Sequence, residues 1–570
     1  MLDVRRSALK GICMNHRVAI VVAASFLTQV GAPAPISAKG HSHRHQTETN
    51  SSKVRLLPGL GVVHRPVSTK NAEAQKFFDQ GLAFLYGFDH EAAQRSFEQA
   101  AKLDANLAMA WWGVALCLGP NINIPVDPAR EKAAYEAVQR ALSLQNNASQ
   151  AERGYINALA YRYSNDPKAD LRQLDIAYRD AMSRLVKSYP DDLDAATLYA
   201  ESMMDLHPWQ LWLHDGRPNE GTEEIVAVLE SVLKRDPNHL GANHYYIHAT
   251  EASPQPERAL PSTFRLEKLA PAAGHLTHMP SHVYDRVGDY AAAVRSNQLA
   301  VAADQKFFQT WGTGVAAVMY HVHNLHFLAY AACKNGNFNE AKKAADAVAS
   351  IATPHVHEMP EMEGFFSGFI STPLLVLIAF ERWDDILKLP APDASLALPA
   401  AVWRFARTLA LASQRNLRAA EQEYSLWQQA ISKVDGEKLI NETNKSSAVL
   451  KIHGDLMSAA LAQARGDDKQ HIDSLTRAVA NEDAMNYAEP PAFYPPVRPQ
   501  LGCALLRLKR FPDAERVFRT ALEKTPRLVS AMTGLRDSLE AQNRTYEAGL
   551  IDQQLANVMA SSQSPADRKK

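Results

Sequence analysis

Apolar and small positions recur along this chain with a helical period and, on a longer scale, with a period of about 34 residues. From Asn71 they run Phe77, Gly81, Phe84, Ala93, Phe97 and Ala100, closing at Leu103-Asp104. The same frame returns near the C-terminus as Gly502, Ala514, Phe518, Ala521 and Pro526. Small residues at fixed points let paired helices approach, and the aromatic fills the space between them. Between these ends the helical pattern predicts hairpins at 106–145, 148–188, 193–237, 240–271, 274–304 and 322–352. No alternating strand pattern of useful length interrupts them, so the expected fold class is all-α.

The frame resembles the tetratricopeptide repeat (TPR), and that resemblance implies a superhelical solenoid of stacked hairpins. Leu389-Pro390-Ala391-Pro392 through Pro399 reads as a break between two solenoid segments. The expected organisation is a signal segment 1–38, a disordered linker 39–66, an N-terminal solenoid 67–388, a Pro/Ala linker 389–402, a C-terminal solenoid 403–560 and a frayed tail 561–570. Insertions near 206–221, with Trp209, Trp212 and Gly216, and near 305–321, with Phe307, Phe308, Trp311, Gly312 and Gly314, read either as lids on a binding face or as loops packed on a neighbouring hairpin.

Composition narrows the function classes. The 570 residues are 46% hydrophobic and 22% charged, as expected of a chain that buries a large core. Sixty-one Lys and Arg against 62 Asp and Glu leave a formal charge of −1, so neither nucleic acid nor an anionic membrane is an expected partner. Cys13, Cys117, Cys333 and Cys503 are isolated, which gives no disulfide framework and no thiolate zinc motif. Arg5, Arg6, Lys10 and Arg17, the apolar run 18–30 and small residues ending at Ser37-Ala38 have the layout of a secretory signal. The expected location is therefore periplasmic or extracellular, with no membrane span once the signal is removed. His41-Ser42-His43-Arg44-His45 reads as linker, with metal capture as the alternative.

The chemistry lies in the histidines. Eight of 21 fall between 244 and 326: His244, His248, His275, His278, His282, His321, His323 and His326. With Pro237 and Pro271 as repeat ends, Leu240 and Gly274 each open a repeat 34 residues apart; His244 then matches His278 and His248 matches His282. His244, His248 and Glu251 stand at i, i+4 and i+7, and His275, His278 and His282 at i, i+3 and i+7, so each trio shares a helix face. Aligning Gly336-Asn337-Phe338 with Gly288-Asp289-Tyr290 puts His323 and His326 at the positions of His275 and His278, and Glu201 takes the position of His248 one repeat earlier. Pro280 is expected to kink its helix or start it late. The TPR resemblance implies that these positions, His321 excepted, line the concave groove.

Convergent imidazoles without thiolates point to copper, iron or zinc, singly or as a two-metal site. The expected ligands are His244, His248, His275, His278, His282, His323 and His326, with Glu251 or Glu201 as ligand, orienting group or general base. Asn297, where the first repeat has Phe97, reads as a hydrogen-bond partner for a ligand histidine or as a tolerated polar substitution. The segment Tyr487-Ala488-Glu489-Pro490-Pro491 through Tyr494-Pro495-Pro496 reads as a groove wall or as a cap on the next hairpin. His355, His357, Glu358, Glu361 and Glu363, beside Pro354 and Pro360, read as a solvated loop, with a second ligand cluster as the alternative.

The strings His244-Tyr245-Tyr246-Ile247-His248-Ala249-Thr250-Glu251 and Gly274-His275-Leu276-Thr277-His278-Met279-Pro280-Ser281-His282, with His323-Asn324-Leu325-His326 and Glu489-Pro490-Pro491, resemble a group of large bacterial TPR proteins. That likeness implies a fold and no reaction, so function rests on the site. Two classes follow: a metal-dependent enzyme acting on a small molecule, and a non-catalytic scaffold whose groove binds a partner peptide.

Overall fold

A computed structural model describes residues 54–312 and 314–561 of the chain. The expected signal segment, the 41–45 stretch and residues 562–570 of the tail lie outside the described residues. Among the described residues there is no strand, only isolated bridges such as Trp212 to Pro218. Consecutive helices pair as antiparallel hairpins, from Ala72–Tyr86 with His90–Leu103 to Val529–Ala541 with Thr545–Ser561. Each hairpin predicted from the sequence forms, and the protein is a TPR-like helical solenoid.

Local chemistry explains why the helices start and pair where they do. Asx residues cap second helices at the hairpin turns: Asp89, Asp289, Asn337 and Asp467 accept from the amides of Ala92, Ala292, Glu340 and Gln470. Within a repeat the aromatic sits between two glycines. A Cβ built on Gly81 would lie 2.7 Å from the Phe97 ring, and one on Gly113 would lie 2.6 Å from it. Phe518 occupies the same place between Gly502 and Gly534. Glycine is needed there for close approach rather than for backbone freedom.

Three expectations on organisation are corrected. Residues 54–66 are not a disordered linker: Leu60 is buried, and Arg65 pairs with Asp192 and Asp194 at 2.9 Å. The Pro-rich stretch 389–402 is no break, because 397–402 already form the first turns of Ala397–Ser413 and one apolar core runs from Tyr284 to Ala548 across it. Proline there ends one helix and starts the next. The insertion near 305–321 is not a loop either. It lengthens two facing helices, Tyr290–Trp311 and Val315–Lys334, and its Phe307 and Trp311 rings pack on Phe84 at 6.0 and 5.2 Å. No helix among the described residues is long and apolar enough to cross a membrane.

Phe97→Ala should open a cavity between three helices and destabilise the first repeats by about 3–5 kcal/mol. Gly113→Ala should also destabilise, through overpacking. Urea unfolding followed by far-ultraviolet circular dichroism reads both, and an unchanged midpoint for Phe97→Ala would contradict the packing described.

Candidate metal centre

Helices Leu240–Glu251, Gly274–His278, Pro280–Val287 and Val315–Lys334 bring six imidazoles together in the interior. His244, His248, His275, His278 and His282 are 0–7% exposed, far less than is usual for histidine. They form two groups whose ligand atoms all lie within 4.8 Å of one another: His244 with His248 and His275, and His278 with His282 and His323. A third set, His248, Glu251 and His282, links the two.

This partition differs from the trios read along single helices. Pro280 is the reason. It contributes no amide hydrogen, the backbone ladder breaks between Gly274–His278 and Pro280–Val287, and the His282 amide bonds the Met279 carbonyl three residues back. His275 then joins the histidines of the preceding repeat, while His278 and His282 close on each other and on His323 from the following one.

Four of the six rings, His244, His248, His278 and His282, are anchored at Nδ1 by buried acceptors, while His275 Nδ1 has none. His244 Nδ1 donates to the Tyr86 carbonyl at 2.6 Å. Glu251 takes one ring on each oxygen, His248 Nδ1 on Oε1 at 3.0 Å and His282 Nδ1 on Oε2 at 2.6 Å. The His282 nitrogen also lies 3.0 Å from Glu489 Oε2. His278 Nδ1 faces Asn297 Oδ1 at 2.6 Å, and because Asn297 Nδ2 donates to the Ala293 carbonyl, the amide orientation is set and the ring must donate. A neutral imidazole with its proton on Nδ1 presents a bare lone pair at Nε2.

Those lone pairs face each other. His278 Nε2 stands 2.7 Å from His282 Nε2 and 3.0 Å from His323 Nε2, and His244 Nε2 stands 3.2 Å from His275 Nε2. His248 Nε2 is buried with no hydrogen-bond partner. His323 and His275 can each offer an Nε2 proton, whereas the 278–282 contact needs either a second proton on His282, which Glu251 faces, or a cation between the two rings. Burial, with the neighbouring His282 and His323, pushes the His278 pKa well down, so His278 is the acceptor side of that contact. Burial likewise lowers His244 and His275, and brings His323 down to about 3. Buried polar atoms without partners cost about 1–3 kcal/mol each, and a cation between them removes that cost. Two nitrogens each about 2.0–2.1 Å from one ion stand about 3.0–3.4 Å apart, a range that holds the 278–323 and 244–275 contacts and that the 278–282 contact falls short of.

The carboxylates divide into roles. Burial alone would raise the pKa of Glu251, but the His282 and His248 rings outweigh it and hold the carboxylate anionic. Glu489 is pushed well up by burial and by Glu251, and is a neutral acid bonded to the Tyr487 hydroxyl. Glu251 therefore sits behind the rings as an orienting group.

The remaining site candidates lie elsewhere. Glu201 belongs to none of the ligand groups among the described residues: it is hydrogen-bonded to Asp205, which Arg162 holds, and burial with the Asp205 charge keeps it protonated. His326 is one helical turn from His323 and points away from the centre, its ring 5.4 Å from Phe369 and 6.1 Å from Tyr494, with burial alone lowering its pKa to about 4. His321 pairs with Asp304 at 3.0 Å, and His355 pairs at the surface with Glu358. Asn297 is a partner of a cluster histidine, and the 487–496 segment walls the cluster through Glu489. Sequence reasoning missed Phe88, whose ring packs 4.7 Å from His244 and 5.8 Å from His248; its only signal was an aromatic beside the Gly87 helix end.

Fold and site together define a TPR-type helical-repeat solenoid with a buried histidine and carboxylate cluster able to hold metal. No protein-family profile and no curated protein matches the chain. Among solved structures it is similar to the Cut9–Hcn1 hetero-tetramer of the APC/C, with 13% identity, TM-score 0.30, and coverage of 82% of this chain and 76% of that one. It is also similar to yeast Tom70, at 11% identity and TM-score 0.27 over 85% and 97% of the two chains. Human IFIT1, a dimer with m7Gppp-AAAA, shares 10% identity and TM-score 0.27 over 86% and 91%.

Because burial and the Asp205 charge push the Glu201 carboxyl toward its neutral form, Glu201→Gln should leave the unfolding midpoint, and any metal the protein carries, nearly unchanged. Elemental analysis beside a denaturation curve checks this, and loss of metal in that variant would place Glu201 in the centre after all.

Proposed function

We propose that this protein is a metalloprotein in which His244, His248 and His275 hold one transition-metal ion and His278, His282 and His323 a second, and that it acts as a metal-dependent enzyme on a small molecule. The observation that carries this reading is the 278–282 contact, two buried Nε2 atoms 2.7 Å apart whose Nδ1 atoms are each bonded to another side chain. Copper, iron and zinc all accept imidazole donors of this kind. A metal held there supplies Lewis-acid or redox chemistry. The chain's own residues orient His244, His248, His278 and His282 through Tyr86, Glu251 and Asn297, and bury the rings. With the signal-like N-terminus, the same reading places the protein outside the cytoplasm.

Tag-free protein from its native compartment should carry near-stoichiometric copper, iron or zinc by mass spectrometry. His248→Ala with His282→Ala should abolish that uptake, while His355→Ala with His357→Ala should not. Equal metal content in the two double variants would overturn the ligand assignment. Absence of metal even after reconstitution would return the protein to a peptide-binding scaffold.

Glu251→Gln removes the carboxylate that orients one ring in each group, so metal affinity should fall about 10–100-fold with the fold retained. Competition against a chelator of known affinity measures the loss, and an unchanged affinity would show that Glu251 orients nothing.

A further inference from the structure

We propose that the His244, His248 and His275 group is the half of the centre that takes an exogenous ligand, and that Trp209 and Tyr487 restrict that ligand to one to three heavy atoms, such as water, hydroxide, dioxygen or azide. This rests on reading the centre as a metal site. His248 and Glu251 form part of the wall of a cavity of about 20 Å³ whose other sides include Trp209, Tyr487, Leu211 and Ile122. That is room for about one water. The buried His248 ring has an unpartnered Nε2, and a catalytic metal with three protein ligands keeps its open position for water or substrate. Each group has an aromatic ring against it, Phe88 on the first and Phe327 on the second, but none of His278, His282 and His323 lines this cavity.

The covering is built from two distant stretches. Trp209 sits in the non-helical insertion 206–221, held down by the Trp212 indole donating to the Ala249 carbonyl at 2.8 Å and by Thr222 Oγ1 donating to the Leu211 carbonyl at 2.6 Å. Its ring meets His248 at 6.3 Å and 78°. Tyr487 is held from the other side by its bond to Glu489. A single exposed hydrogen bond, His214 Nε2 to Asn486 Oδ1 at 3.1 Å, ties the two stretches.

Backbone geometry singles out the same ring. Of the non-glycine residues with positive φ among those described, Phe88 (φ 57°) and Trp209 (φ 60°) are the aromatic ones, and both lie against His248. Bulky residues rarely hold that conformation, and they persist in it where the surroundings over-determine it. Glu381, Arg415 and Lys509, which share it, are long polar side chains in turns.

The test uses full-length protein loaded with copper(II), with metal content measured on every sample and azide binding read from its charge-transfer absorption. One azide should bind per two coppers. Formate should displace it, whereas benzoate, with the same carboxylate donor, should not. Trp209→Ala should then admit benzoate with at least a tenfold gain in competition, while Trp209→Phe should behave as the unaltered chain. Benzoate competing as well as formate in the unaltered protein, two azides per two coppers, or no azide at full metal load would each overturn the inference. The formate and benzoate comparison decides the matter even where the alanine variant misfolds. A preparation that takes up none of copper, iron and zinc overturns the metal reading, and this inference with it.

Discussion

The site depends on one constraint: each anchored imidazole has its Nδ1 proton committed to a fixed buried acceptor. Once Tyr86, Asn297 and Glu251 hold those protons, the tautomers of His244, His278, His248 and His282 follow, and their Nε2 lone pairs turn inward. In water such rings would turn to find donors. In an interior where His278 and His244 are fully buried they cannot, so the packing of the repeats decides what the nitrogens face.

That packing comes from the repeat itself. Glycine at fixed points, with Phe97 or Phe518 wedged between, brings helices close enough that side chains of neighbouring repeats interdigitate. In the middle of the array the same register places histidine where the first repeat has apolar residues, and Asn297 where it has Phe97. The solenoid supplies the rigidity, and substitution at a few inward positions supplies the chemistry.

The fold was legible almost throughout, because hairpin length, Asx caps and small and aromatic spacing are local signals. Equivalence of His244 with His278, and of His248 with His282, was legible from the 34-residue register. Which rings would share a group was not. Face logic along one helix joins His275 to His278 and His282, whereas the broken ladder at Pro280 hands His275 to the preceding repeat. Register also nominated His326 and Glu201, and both fail for one reason: equivalent positions in lengthened or interrupted repeats do not point to equivalent places. The lengthened pair Tyr290–Trp311 and Val315–Lys334 turns His326 toward Phe369, and the insertion after Leu193–Met204 leaves Glu201 to Asp205 and Arg162. The Tyr86 carbonyl and Phe88 come from residues more than 150 positions away from His244, and no periodicity reports such contacts.

Charge balance adds a last step. Burial lowers the pKa of His244, His275, His278 and His323, Glu251 is the anionic carboxylate of the cluster, and Glu489, a few ångströms from His282, is pushed well up by burial and by Glu251. On the proposed reading, a cation at His282 favours the ionised form of Glu489, because an opposite charge stabilises a buried carboxylate. Two divalent ions would still exceed the negative charge of Glu251 and Glu489 together. A dry interior tolerates such an excess poorly, so the remaining balance falls to anions small enough to pass Trp209 and Tyr487. On that reading, the same burial that orients the rings also favours a compact, electron-rich ligand at the His248 side of the centre.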